Sequence, residues 1–350
     1  MTPQVTTMTV DELADGADAV GALNAQGETV RPVVVIDLDD ADQSTVARAA
    51  DVASRADRIL VGRASGAPDT ALEPLTAALD LTYGDASGGR EIITVDDVEE
   101  AITAFVAAAE ATPQAASVAA QVVRASESMS IPAALDVESL GYSALQGGVE
   151  FGRWLEERRA LGRPLPPPPA GDPVLVDRRA DDLHITLNRP ERRNAYGVAL
   201  RDAFVDALRM PLLDNTIDRV VVDGAGPCFC AGGDLDEFGH TPDATTAHFV
   251  RTRGGAGRLV ARLADRIEVR LHGQCVGAGI EIPAFAHRIV AAPDTMIRLP
   301  EVSMGLLPGA GGTVSVPRRI GRWRALHLFV TGSPISADAA REWGLVDELR

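Results

Sequence analysis

The spacing of apolar positions changes twice along the chain. From residue 31 to residue 83, short unbroken apolar runs alternate with helical patterning. RPVVVIDLDD (31–40) and ADRILVGRAS (56–65) predict buried strands, with DQSTVARAADVASR (42–55) a helix between them. From 94 to 161 the pattern is helical. TVDDVEEAITAFVAAAEA (94–111) opens with Thr94 as the expected N-cap and Asp97 three residues on. LDVESLGYSALQGGVEFGRWLEERRA (135–160) offers Leu140, Leu145, Phe151 and Trp154 as apolar contacts. After residue 173 strands and helices alternate again. PVLVDRRADDLHITLNRP gives two short strands about a polar turn, GVALRDAFVDALRMPLL an amphipathic helix and DRVVVDGAG a buried strand. TTAHFVRTRGGAGRLVARLADR reads as helix, IEVRLHG and IRLP as strands, RWRALHLFVTG as helix, and SADAAREWG as a final helix capped by Ser336. This alternation predicts an α/β fold with helices packed on sheets.

Between the helical stretch and the second α/β stretch lies GRPLPPPPAGDP (162–173), whose prolines cannot continue a helix and favour an extended, semi-rigid linker. The expected organisation is an N-terminal region over 1–162, a Pro-rich linker over 163–173 and a second domain over 174–350.

Composition narrows the function classes. With 46% hydrophobic and 24% charged residues, the 350-residue chain has the balance of a soluble globular protein. No apolar run reaches the roughly 20 residues of a membrane span, and the acidic start MTPQVTTMTVDELADGADAV lacks the apolar core of a secretory signal. A cytoplasmic protein is expected. Cys228, Cys230 and Cys275 fit small buried thiols better than a disulfide or metal framework. The net charge of -17 argues against nucleic-acid or membrane partners. All 33 basic residues are arginine, gathered in PERRNA (190–195), VRTRGGAGR (250–258) and PRRIGRWRA (317–325). Guanidinium clusters suit phosphate, although a solvated charged face explains any one of them as well.

Two predicted strands run into turns of small residues. One passes through Ala231, Gly232 and Gly233 to Asp234, the other through Gly277, Ala278 and Gly279 to Glu281. Small residues let a ligand approach the backbone, and a helix starting there presents unpaired N–H groups at a positive dipole end. Two such amides aimed at one point would form an oxyanion hole. Glu281 and Glu301 each follow such a stretch or a proline. They are either surface carboxylates or two proton carriers facing one site.

The second half resembles the enoyl-CoA hydratase/isomerase (crotonase) family over about 174–349. The stretches that carry the resemblance are LNRPERRNAY, FCAGGDLDEF, GQCVGAGIE, IRLPEVSMGLLPGAGGT and LFVTGSPISADAAREWGLVDEL, in the family's order and at compatible spacing. The resemblance implies a ClpP/crotonase-like spiral of ββα units, here preceded by an N-terminal α/β-plus-helical region. It implies oxyanion donors at Gly233 and Ala278 and catalytic carboxylates at Glu281 and Glu301. It places the coenzyme A adenine and pantetheine against the backbone of Ala231, Gly232 and Leu235, the phosphates near Arg192 and Arg193, and Gly277 among the substrate-binding residues. Coenzyme A would enter as part of an acyl-CoA substrate, with no separate cofactor or metal. The family habit is a homo-oligomer, a trimer or dimer of trimers.

Hydration of a 2-enoyl-CoA would need both glutamates: a base for the attacking water and an acid for Cα. The alternatives are other enolate reactions of a CoA thioester (isomerisation, retro-aldol cleavage, decarboxylation, cofactor-free oxygenation) or a CoA-binding subunit without turnover. Two departures stand out. Pro283 follows Glu281 by two residues and should kink or delay its helix, rotating Glu281 off its aim. The helical tail that family members carry after GLVDEL has no counterpart there, whereas ESLGYSALQGGVEFGRWLEERR (138–159) resembles that tail displaced to the front. Residues 1–162 are therefore expected to be either a decayed second copy whose helices cover the site, or an unrelated helical domain.

Overall fold

The computed structural model describes residues 5–17, 22–66, 68–165 and 167–350. The N-terminal region opens with β1 (Thr7–Thr9), α1 (Val10–Ala14), β2 (Val33–Asp37), α2 (Val46–Ala53), β3 (Ile59–Ala64), α3 (Glu73–Ala78), β4 (Leu81–Gly84) and β5 (Ile92–Thr94). These five strands pair in parallel and in chain order. Their apolar runs are continuous because both faces are buried. Val33, Val35, Ile59 and Val61 point into the main core, whereas Val34, Ile36 and Leu60 alternate to the opposite face, under α1 to α3.

Four helices follow: α4 (Val98–Ala111), α5 (Pro113–Ser126), α6 (Ile131–Gln146) and α7 (Val149–Ala160). The N-cap of α4 is Asp97, whose side chain accepts from the Glu100 amide, and not Thr94. Thr94 is still paired in β5 with Gly84, so the extended backbone runs past it. Leu140 is 58% exposed, contrary to its expected apolar contact; α6 turns Leu135, Glu138, Ser139 and Leu145 inward instead. Phe151 is buried and stacks on Trp154.

The second half comprises β6 (Val174–Arg179), β7 (Asp182–Leu187), α8 (Val198–Leu213), β8 (Arg219–Gly224), α9 (Ala244–Gly254), α10 (Gly257–Arg262), β9 (Ile267–Leu271), β10 (Gln274–Val276) and α11 (Ala278–Glu281). It ends with β11 (Arg288–Ala291), β12 (Met296–Arg298), α12 (Gly312–Ile320), α13 (Arg322–Thr331), β13 (Ile335–Ser336), α14 (Ala337–Trp343) and β14 (Glu348–Leu349). One sheet has the order β14-β11-β9-β8-β7-β6, a second the order β10-β12-β13. The Ser336 side chain caps α14 as expected. The single helix expected over 245–266 is broken. Gly255 is extended, and the Ala256 amide donates to the Tyr196 hydroxyl at 3.1 Å. Consecutive glycines make helix costly there.

The N-terminal helices lie on the second half: α4 and α5 against α13, α5 and α6 against α12, and α6 against α9 and α10. The seam is apolar with a few buried polar ties. Trp323 Nε1 donates to the Leu79 carbonyl at 3.0 Å, Arg322 pairs with the buried Asp80 at 3.7 Å, and the Tyr83 hydroxyl meets His327 Nδ1 at 2.7 Å. Burial depresses His327 from 6.5 to about 4. The neutral imidazole is therefore favoured in the fold, and its stabilisation is present above pH 6.5 and lost as pH falls through about 4. We expect thermal melts of the wild type to lose about 3 kcal/mol over that window. A His327→Gln variant should lack this component; coincident pH dependences would refute the assignment.

Candidate active site

The loop after β8 and the turn after β10 run side by side. The Val276 amide donates to the Cys230 carbonyl at 3.0 Å, and the backbones of Cys230 and Cys275, both free thiols, pair in parallel. This register brings Gly233 and Ala278 to the wall of one cavity of about 610 Å³. Ala278 is the first residue of α11, where an N–H has no intrahelical partner. Among the described residues neither the Gly233 nor the Ala278 amide has a protein acceptor. Gly277 precedes Ala278 at φ 49°, ψ -121°, a conformation that glycine adopts readily, and a Cβ there would collide with Glu301 Oε1.

Glu281 and Glu301 line the same cavity. Pro283 does cut the helix short. α11 is a single turn, followed by a 3-10 turn over Pro283–Phe285. The expected rotation of Glu281 does not follow, because its aim is set from outside the helix: Oε2 accepts from the amides of Ala310 at 2.7 Å and Gly312 at 2.9 Å. Glu301 opens the 3-10 turn Glu301–Met304, and its Oε2 is buried with no partner among the described residues.

The electrostatics follow from burial. Desolvation raises the Glu281 carboxyl above its ordinary range against the two amides that favour its charge. Glu301 is raised as well, by burial first and then by the negative charge of Glu281. At neutral pH the pair retains a proton that surface carboxyls would release, and the two titrate together rather than singly.

The other six sequence candidates lie on the flank and do not line the cavity. Arg192 is held by Asp234 at 2.6 Å and Asp236 at 2.8 Å, and Asp236 is also paired with Arg158 of α7. Arg193 is exposed, in the left-handed region at φ 52°, with no carboxylate in ion-pair range among the described residues. Its carbonyl accepts from the Ala231 amide, the Gly232 carbonyl from Tyr196, and the Leu235 carbonyl from Arg158. Gly277 sits behind Glu301.

Three further residues reach the cavity without having been singled out: Glu138 and Tyr142 from α6, and Arg251 from α9. Arg251 stacks on the Tyr142 ring at 4.4 Å and donates to Ser139, Ser143 and Gln146, with no carboxylate in ion-pair range among the described residues. The sequence signal for Glu138 is a carboxylate sharing a helical face with Leu135 and Tyr142. Glu237, lining the cavity mouth, caps α8 by accepting from the Val198 amide. His248 bonds Ser139, and His272 the Gly226 carbonyl. Among the described residues no group of three or more His, Cys, Asp or Glu could hold a metal ion, and no helix is long and apolar enough to cross a membrane.

Comparison with known proteins finds relatives of the second half of the chain. The family model for enoyl-CoA hydratase/isomerase matches residues 179–350. The chain is 34% identical over 176 residues to a 2,3-dehydroadipyl-CoA hydratase of Escherichia coli, covering 50% of this chain and 68% of that protein. It is 35% identical over 175 residues to an enoyl-CoA isomerase/hydratase of Mycosarcoma maydis, covering 47% of this chain and 64%, under two thirds, of the relative. A crystal structure of an enoyl-CoA hydratase from Mycobacterium smegmatis is 30% identical over 51% of this chain and 70% of that one, with a TM-score of 0.48. The chain belongs to the enoyl-CoA hydratase/isomerase (crotonase) family and has its α/β fold.

Proposed function

We propose that the protein adds water across the double bond of a 2-enoyl-CoA. The observation that carries the reading is the meeting, in one cavity, of two backbone amides without protein acceptors and two buried carboxyls. The thioester oxygen would accept from Gly233 and Ala278, which stabilises the enolate that forms when water attacks Cβ. Glu281, oriented by two amides, takes the proton that water loses. Glu301, protonated and without a protein partner on Oε2, delivers a proton to Cα. The net change is one water gained, with no oxidant or reductant. Exposed Arg193 is the arginine of the pair left open for a CoA phosphate. Acyl-CoA would be the sole small-molecule partner, with an oligomer as the working form.

The second reading is double-bond isomerisation through the same enolate, which a relative named as an enoyl-CoA isomerase/hydratase favours. Incubation with crotonyl-CoA separates the two. Hydration removes the conjugated enoyl absorbance and yields a product heavier by one water. Conversion of a 3-enoyl-CoA to its 2-enoyl isomer without water uptake would favour the second reading. Tight CoA binding with neither reaction would overturn both.

A further inference from the structure

The turn entering α12 offers four consecutive amides, and two carboxylates divide them alternately. Glu281 Oε2 takes Ala310 and Gly312. Glu138 Oε1 takes Gly311 at 2.8 Å, while its Oε2 takes the Thr313 amide at 2.9 Å and the Thr313 hydroxyl at 2.8 Å. Glycine is needed in this turn. Gly311 stands at φ 111°, and a Cβ on Gly312 would lie 2.7 Å from Glu281 Oε2. Gly309 packs against the face of Tyr142, one turn beyond Glu138 on α6.

We propose that Glu138 is a positioning residue of the catalytic cavity: by clamping Gly311 and Thr313 it fixes the amides that orient Glu281, so that the N-terminal region completes the site of the second half. Glu138 is 2% exposed and 173 residues from Gly311 in sequence, so the clamp exists only once α6 has docked. Its surroundings set the sign of its effect. Glu281 from α11 and Glu301 from the turn after β12 are the nearby negative groups; Tyr142 shares its helix; Arg251 of α9 is the nearby cation. Arg258 of α10 is taken up by Asp136 at 2.7 Å. Burial and the charge of Glu281 push Glu138 itself up to about 8, so it is largely neutral where Glu281 titrates and acts on it through the amides it fixes. Loosening them withdraws hydrogen bonds that favour the charged Glu281 and raises the pH at which it ionises.

The proposal assigns a role toward Glu281 and takes its catalytic meaning from the hydration reading, so it is tested first without substrate. The full chain, labelled with carboxyl-13C glutamate, is titrated by NMR, with the Glu281 signal identified by its loss in Glu281→Gln. In Glu138→Gln, whose side-chain NH2 cannot accept from these amides, the Glu281 midpoint should rise by about one pH unit, and Glu138→Asp, which keeps the carboxyl but falls short of the turn, should raise it as well. On a turned-over enoyl-CoA, Glu138→Gln should lower kcat on the order of tenfold to a hundredfold with KM little changed, and move the acid limb of the pH profile up with the midpoint. An unmoved Glu281 midpoint in a folded Glu138→Gln overturns the proposal whether or not hydration is observed. If Glu138→Gln does not fold, Thr313→Val removes one donor to Glu138; a smaller shift in the same direction supports the clamp, and none refutes it.

Discussion

A Glu301→Gln variant is expected to keep its fold and lose turnover by about 10³-fold, within the range that a general acid contributes. The amide is nearly isosteric, so cavity and ligand contacts persist while the transferable proton is gone. Its stability should change with a definite sign. Burial and the charge of Glu281 raise Glu301 well above 4.5, so between pH 4.5 and its folded midpoint the native state holds a proton that the unfolded chain releases. The contribution is fully present below 4.5 and is lost as pH rises. Wild type should therefore fall behind the variant by about 1.4 kcal/mol for each pH unit in that window. Below about pH 4 the two should melt alike. Undiminished turnover in the variant would remove Glu301 from the chemistry, and parallel melting curves from pH 4 to 9 would contradict its burial as a carboxyl.

An Ala278→Pro variant should lose about 10²–10³-fold in kcat/KM, the cost of one oxyanion donor. Proline is tolerated at the first helical position because the N–H it removes has no partner in the helix. Ala278 occupies that position in α11, so the substitution takes away the donor with little cost to the fold. Ala278→Gly, which keeps the amide, serves as the control. Wild-type rates in the proline variant, with circular dichroism unchanged, would show that the carbonyl is polarised elsewhere.

What could be read from the chain was what is local. VVVID and ILVGRA are unbroken apolar runs because their sheet is covered on both faces, and α14 announced its start through Ser336. The family resemblance singled out Gly233, Ala278, Glu281 and Glu301, which the structure gathers into one cavity. The consequence of Pro283 was misjudged because Glu281 is aimed by amides about 30 residues downstream, at Ala310 and Gly312. Asp97 displaced Thr94 as a cap because strand pairing with Gly84 outlasted the local signal. Glu138 could not be placed from sequence, since its partners lie in the other half of the chain. The pairing of Arg192 with Asp234 and Asp236 is likewise a matter of tertiary geometry.

The seam between the halves has a consequence for how the chain comes apart. Tyr83, Phe105 and Phe329 are fully buried in one continuous core that both halves share, with Trp323 packed at its edge. Separating the halves would wet all of that surface at once, so neither is an independent cooperative unit. A protease nick in the proline segment would leave two fragments still associated, and catalysis would survive the cut for as long as they stay together.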